Sequence, residues 1–171
     1  MLINTPELLE LLREKVLRNP VYPLGICFRE THFGYRYMIP PQDWGKLPLE
    51  NYHFCMEVHN DGLFKFARSH DLDDGSMSGS FILAKISLAL KHASEIYKFV
   101  GYGGFCQISV SLGDIKGKGM HFDNHISDVS GYPSENGHLI FDYELPVSEL
   151  DLVSTISIFE QRIRQAFGFR N

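Results

Sequence analysis

Residues 52–67, YHFCMEVHNDGLFKFA, decide the fold class. Tyr52, Phe54, Met56 and Val58 alternate with His53, Cys55, Glu57 and His59. That is the period of a strand with one buried and one wet face. Asn60-Asp61-Gly62 supplies turn chemistry between this run and the next. A two-residue Asp61-Gly62 loop would set Val58 against Lys65 and Glu57 against Phe66. A three-residue loop with Gly62 in the left-handed region sets Val58 against Phe64, Met56 against Phe66 and Glu57 against Lys65. The second register buries like with like and pairs opposite charges, so it is the one expected.

Upstream, a hairpin is expected about Thr31-His32, with Phe28 facing Tyr35, Ile26 facing Tyr37 and Leu24 facing Ile39. Residues 40–51 (PPQDWGKLPLEN) read as a surface loop carrying the single tryptophan, Trp44. At the N-terminus Thr5, Pro6 and the repeat Leu8, Leu12, Val16 predict a helix ended by Asn19-Pro20. Downstream, a polar loop over 69–78 precedes a long helix from about Ser80 to Val100, with Ile82, Ile86, Ala89, Ala93, Ile96, Tyr97 and Val100 as its apolar stripe. Gly101-Tyr102-Gly103-Gly104 caps it. Strand patterns run over 105–112 and 138–145, Met120 to Phe122 is a candidate short strand, and residues 113–137 otherwise lack a period. A last helix is expected from about Ser148 to Phe167, with the stripe Leu152, Ile156, Phe159, Ile163 and Phe167. The expected architecture is α+β: one globular domain over 1–171, built on a mostly antiparallel sheet of about six or seven strands with three helices packed on one face.

Composition narrows the function classes. The chain has 171 residues, 44% of them hydrophobic and 22% charged, which excludes a disordered or low-complexity chain. No apolar run approaches the ~18 residues of a membrane span, and no leader pattern is read at the start. A net charge of -5 argues against nucleic-acid binding through the phosphate backbone. Cys27, Cys55 and Cys106 are odd in number, lie apart and sit in strand-like runs, so free thiols in the cytoplasm are expected. The acidity is local: eight acids and two bases between Asp114 and Asp151 give that region -6. Asp142 and Glu144 share a strand face there, an acidic patch for a basic partner or ordinary solvated surface.

Among the eight histidines, His121-Phe122-Asp123-Asn124-His125 offers two imidazoles and a carboxylate within five residues, a set that suits a divalent ion. His59 and His70 could add ligands from neighbouring segments. No established zinc spacing is present, and solvated loops carry the same residue types. The face His53, Cys55, Glu57, His59 spaces its members ~7 Å apart, so it reads as a polar sheet face with a Glu57–Lys65 cross-strand pair. The Gly101–Gly104 run lies after a helix and before a strand, the reverse of a phosphate loop. No GxSxG elbow occurs, and no cysteine stands at a helix N-terminus.

Residues 89–117, ALKHASEIYKFVGYGGFCQISVSLGDIKG, resemble the region that follows the AlbA-like (Schlafen AlbA_2, "ATP-binding") domain in uncharacterised bacterial proteins. In that region a helix ending in YxxxGY leads to an alternating strand and a V/I-x-G turn. The matching positions are Tyr97, Gly101-Tyr102, the 105–112 strand and Ile115-Lys116-Gly117. The AlbA-like domain itself, the part associated with nucleic acid or nucleotide, is not visible in this chain, so no activity passes to a residue. The resemblance implies a bacterial module for assembly or sensing.

Two function classes follow. The first is a non-enzymatic interaction or ligand-sensing module of a bacterial cytosolic protein. It takes a protein partner or a second copy of itself and needs no cofactor. Its candidate patch is Tyr35, Tyr37, Trp44 and Tyr52 with Asp142 and Glu144. The alternative is a divalent-metal-dependent hydrolase of the phosphoester class, using His121, Asp123, His125, His59 and His70.

Overall fold

The computed structural model describes residue 10 and residues 27–32, 34–39, 54–59, 61–67, 76–122 and 134–169. The chain divides into two compact units, Met1–Asp71 and Leu72–Asn171.

The first unit holds a four-stranded antiparallel meander: β1 (Cys27–Thr31), β2 (Gly34–Ile39), β3 (Phe54–His59) and β4 (Phe64–Ala67), in that order across the sheet. The β3–β4 register is the expected one: Val58 faces Phe64, Glu57 faces Lys65 and Met56 faces Phe66. Gly62 takes φ 95°, and the His59 amide donates to the Leu63 carbonyl at 2.8 Å, closing the three-residue loop. The first hairpin departs from expectation. Phe28 faces Tyr37, not Tyr35, because Thr31 pairs directly with Gly34 and the turn is centred one residue later than Thr31-His32. The shift is two residues, so each side chain keeps its face. The apolar face buries Tyr35, Met56 and Val58. Leu24, Ile26, the 40–51 loop and the N-terminal helix lie outside the described residues, apart from Glu10, which is helical.

In the second unit, β5 (Ser76–Ser78) runs into α1 (Gly79–Phe99), with the Ser78 hydroxyl accepting from the Phe81 amide at 3.2 Å as the helix cap. Leu83, Ile86, Leu90, Ala93 and Ile96 are its buried stripe, one position round from the expected one at Leu83 and Leu90. The helix ends as the glycines predict: the Gly101 amide donates to the Lys98 carbonyl and the Tyr102 amide to the Tyr97 carbonyl, with the two tyrosine rings edge to face at 5.8 Å. β6 (Phe105–Gly113) follows, then β7 (Gly119–His121), β8 (His138–Pro146), a 3-10 turn (Val147–Glu149) and α2 (Val153–Ala166). β7 pairs in parallel with β5, and β6 pairs antiparallel with β8.

The single sheet with three helices on one face is therefore corrected. Eight strands form three small sheets of four, two and two, and two α-helices occur among the described residues. The α+β class stands. The cause is that, among the described residues, β5 and β7 pair only with each other, and β6 and β8 only with each other. The core of this unit gathers Met77 and Met120 from the parallel pair, the α1 stripe, Ile115, Val147 and Leu150, and Phe159, Ile163 and Phe167 from the C-terminal end. Phe122 lies against Gly79, Arg164 stacks over its ring at 3.9 Å, and Phe169 meets it edge to face at 5.3 Å.

Candidate interaction site

β6 and β8 form a ribbon of two nine-residue strands, about 30 Å long at ~3.4 Å per residue. Strict alternation in both strands forces one side chain in two to each face. The register pairs Cys106 with Leu145, Ile108 with Tyr143, Val110 with Phe141 and Leu112 with Leu139, all half-buried on one face. The other face is exposed and pairs Gln107 with Glu144, Ser109 with Asp142 and Ser111 with Ile140. Phe105 and Ile140 are 64% and 60% exposed on it, and neither strand contains a lysine or arginine. No other described strand hydrogen-bonds to either edge.

A two-stranded ribbon is marginal in water by itself. This one is held at its base: the Val147 amide donates to the Gly104 carbonyl at 3.0 Å, Tyr143 meets Phe159 edge to face at 5.1 Å, and Arg162 Nε donates to the Tyr143 hydroxyl at 3.0 Å. Nearby, Lys98 Nζ lies 3.1 Å from Asp151 Oδ2 and ties the end of α1 to the chain entering α2. The Lys98 hydrogen bond holds the Asp151 carboxyl below its ordinary range.

The polar face of the four-stranded sheet carries a charged row. The register sets Arg29, Arg36, Glu57 and Lys65 side by side across the four strands. Arg36 Nε and Nη2 both lie 2.5 Å from Glu57 Oε1, and His59 Nε2 lies 3.0 Å from Oε2. Burial pushes the Glu57 carboxyl up, but the hydrogen bonds from His59 and Arg36 and the Arg36 charge outweigh it, and the net shift is downward. A carboxylate engaged at both oxygens and held low is a poor proton acceptor, which fits a structural pair better than a general base. The Cys55 thiol is raised, first by burial and then by Glu57; burial raises Cys106 too. Both are free thiols, held protonated at neutral pH.

The Glu57 shift has a consequence for acid stability. A carboxyl lowered in the folded state stabilises at pH above its ordinary value near 4.5, and that contribution is lost as pH falls through the folded value. Glu57→Gln is therefore expected to flatten the loss of stability on acidification below pH 4.5, and to cost about 1 kcal/mol at neutral pH, where Arg36 is partly solvent-screened. Urea unfolding of both proteins across a pH series reads this; parallel curves would contradict it.

Of the candidate patch residues, Tyr35 is only 5% exposed and belongs to the core, so it is not a surface aromatic. The Tyr37 side chain, Trp44 and Tyr52 lie outside the described residues. Asp142 and Glu144 are exposed where the alternation put them, on the outer face of β8. Of the candidate metal ligands, His59 is paired with Glu57 and His121 is half-buried on β7, while His70, Asp123 and His125 lie outside the described residues. Among the described residues no three His, Cys, Asp or Glu side chains gather as a metal site. No helix among them is long and apolar enough to cross a membrane. Phe105 and Ile140 were missed by the sequence reading; the signal for Ile140 was an apolar residue on the wet side of an alternating strand. No protein-family model, curated protein or solved structure matches the chain, so its own geometry carries the functional reading.

Proposed function

We propose that this chain is a non-enzymatic interaction module of a cytoplasmic protein, and that the β6–β8 ribbon is its contact element. The observation that carries this reading is an unbroken nine-residue pairing that exposes Phe105 and Ile140 on one face and has no other described strand at either edge, the Tyr102 hydroxyl donating to the Phe105 carbonyl at one end of β6. Open edges of that length offer a row of backbone donors and acceptors to another strand, and natural sheets generally protect them. Asp142 and Glu144, unopposed by any cation on the ribbon, disfavour a nucleic-acid backbone and favour a protein surface. The free thiols Cys55 and Cys106 support a reducing compartment.

The test places a photo-crosslinking phenylalanine analogue at Phe105, at Ile140 and, as a control, at exposed Lys91 on α1. In the cells that produce the protein, discrete protein adducts are expected from positions 105 and 140 and not from 91. Absence of adducts at both ribbon positions rejects the reading.

A further inference from the structure

Resting on that reading, we infer that the ribbon's partner is a second copy of this chain. The second copy adds antiparallel at the open edge of β6, about a two-fold axis through Ser109, and two ribbons become one sheet in the order β8–β6–β6–β8.

The sequence of β6, Phe-Cys-Gln-Ile-Ser-Val-Ser-Leu-Gly, reads nearly the same by chemistry in both directions about Ser109. Laid against itself at that centre, Cys106 faces Leu112 of the second copy and Ile108 faces Val110, all from the half-buried apolar face. Gln107 faces Ser111 and Ser109 faces its own equivalent, all from the exposed polar face. Phe105, 64% exposed, falls opposite Gly113, where a ring can cover the bare backbone. This register pairs Cys106 to Leu112 along the whole joint and brings Phe105 to Gly113 at each end, where the Phe105 carbonyl already accepts from the Tyr102 hydroxyl at 2.8 Å. A slip of one residue would put each copy's apolar face on the other's polar side.

The choice of edge follows from charge. β6 contains no charged residue and no proline, and it pairs with β8 without a bulge, so beyond the Tyr102 hydroxyl on the Phe105 carbonyl at its first residue it lacks the usual devices that blunt an edge. β8 carries Asp142 and Glu144, and pairing β8 with itself would gather four carboxylates on one face with no cation on either strand. Pairing β6 of one copy with β8 of another leaves a free β6 edge at one end and a free β8 edge at the other, so it propagates, whereas the β6–β6 pair is isologous and leaves only the two acidic β8 edges. The join also makes one continuous apolar face of Ile108, Val110 and Leu112 from both copies, flanked by Leu139, Phe141 and Tyr143.

Multi-angle light scattering with size-exclusion, over micromolar concentrations, gives the first readout: twice the chain mass is expected. Two paired variants then test the register. In Gln107→Lys with Ser111→Lys, lysine faces lysine at both ends of the joint, and dissociation is expected to strengthen about tenfold or more at low salt. In Gln107→Lys with Ser111→Glu the same positions become complementary, and the dimer is expected to return and to weaken with salt. Far-UV circular dichroism confirms that both variants fold. A monomeric wild-type chain overturns the inference, as does a double-lysine variant that still dimerises, or a lysine–glutamate variant that does not. The photo-crosslinks separate the two ideas: adducts of doubled chain mass support both, whereas adducts only to other proteins overturn self-pairing and leave the interaction reading standing.

Discussion

Replacing Phe159 with alanine is expected to lower the unfolding free energy by about 3–5 kcal/mol, the range for deleting a fully enclosed ring. Phe159 is 0% exposed, on the helix face it shares with Ile163, and Phe167 beyond the helix end is 1% exposed. Its ring also meets Tyr143 edge to face at 5.1 Å and 77°, worth about 0.5–1.5 kcal/mol beyond the buried area. Tyr143 stands on β8, so this one side chain joins α2 to the ribbon. Domains of this size hold only about 5–15 kcal/mol in all, so the variant loses a large share of its stability. Urea unfolding followed by circular dichroism checks it: the midpoint should fall with the slope unchanged. Val153→Ala, at a position 83% exposed, should stay within about 0.5 kcal/mol of wild type. A Phe159→Ala loss below about 1 kcal/mol would contradict the packing of α2 against β8.

The features legible in the sequence are those that one stretch of chain decides alone. The β3–β4 register followed from Asp61-Gly62 and the alternation on either side, since only one loop length set Glu57 against Lys65. The cap at Gly101 was legible for the same reason. The first hairpin was misplaced by two residues because parity, the strongest local constraint, is identical in both registers and only loop closure at Gly34 separates them. The sheet partition was not legible at all. Alternation in β6 and β8 says that one face is buried, but it does not say which strand lies alongside, and 24 residues separate the two strands. Nor was the parallel pairing of β5 with β7, although Met120 to Phe122 marked most of β7 as a candidate strand. Aromatic density around Tyr35 suggested a surface patch; the same alternation that makes β2 a strand puts Tyr35 on its core face.

Gly34→Ala is expected to destabilise the four-stranded sheet by about 2–4 kcal/mol. β2 lies between β1 and β3, and Gly34 takes φ 146°, a backbone conformation that side chains of L-residues rarely adopt. A Cβ there would overlap the Val58 carbonyl oxygen and come within 2.9 Å of the His59 Cα. Both obstacles are backbone, so no rotamer change relieves them; β3 itself would have to move away from β2. That movement would separate Gly34 from His59 and Tyr35 from Val58, beside the buried Met56, and would also pull Glu57 away from Arg36. Gly103→Ala is the matched control, because a Cβ at Gly103 meets nothing within 4 Å. Thermal unfolding followed by far-UV circular dichroism reads both variants. A lowered midpoint for Gly34→Ala beside an unchanged Gly103→Ala is the expected pattern, and equal midpoints would mean that β2 and β3 do not approach as closely at Gly34 as their register requires.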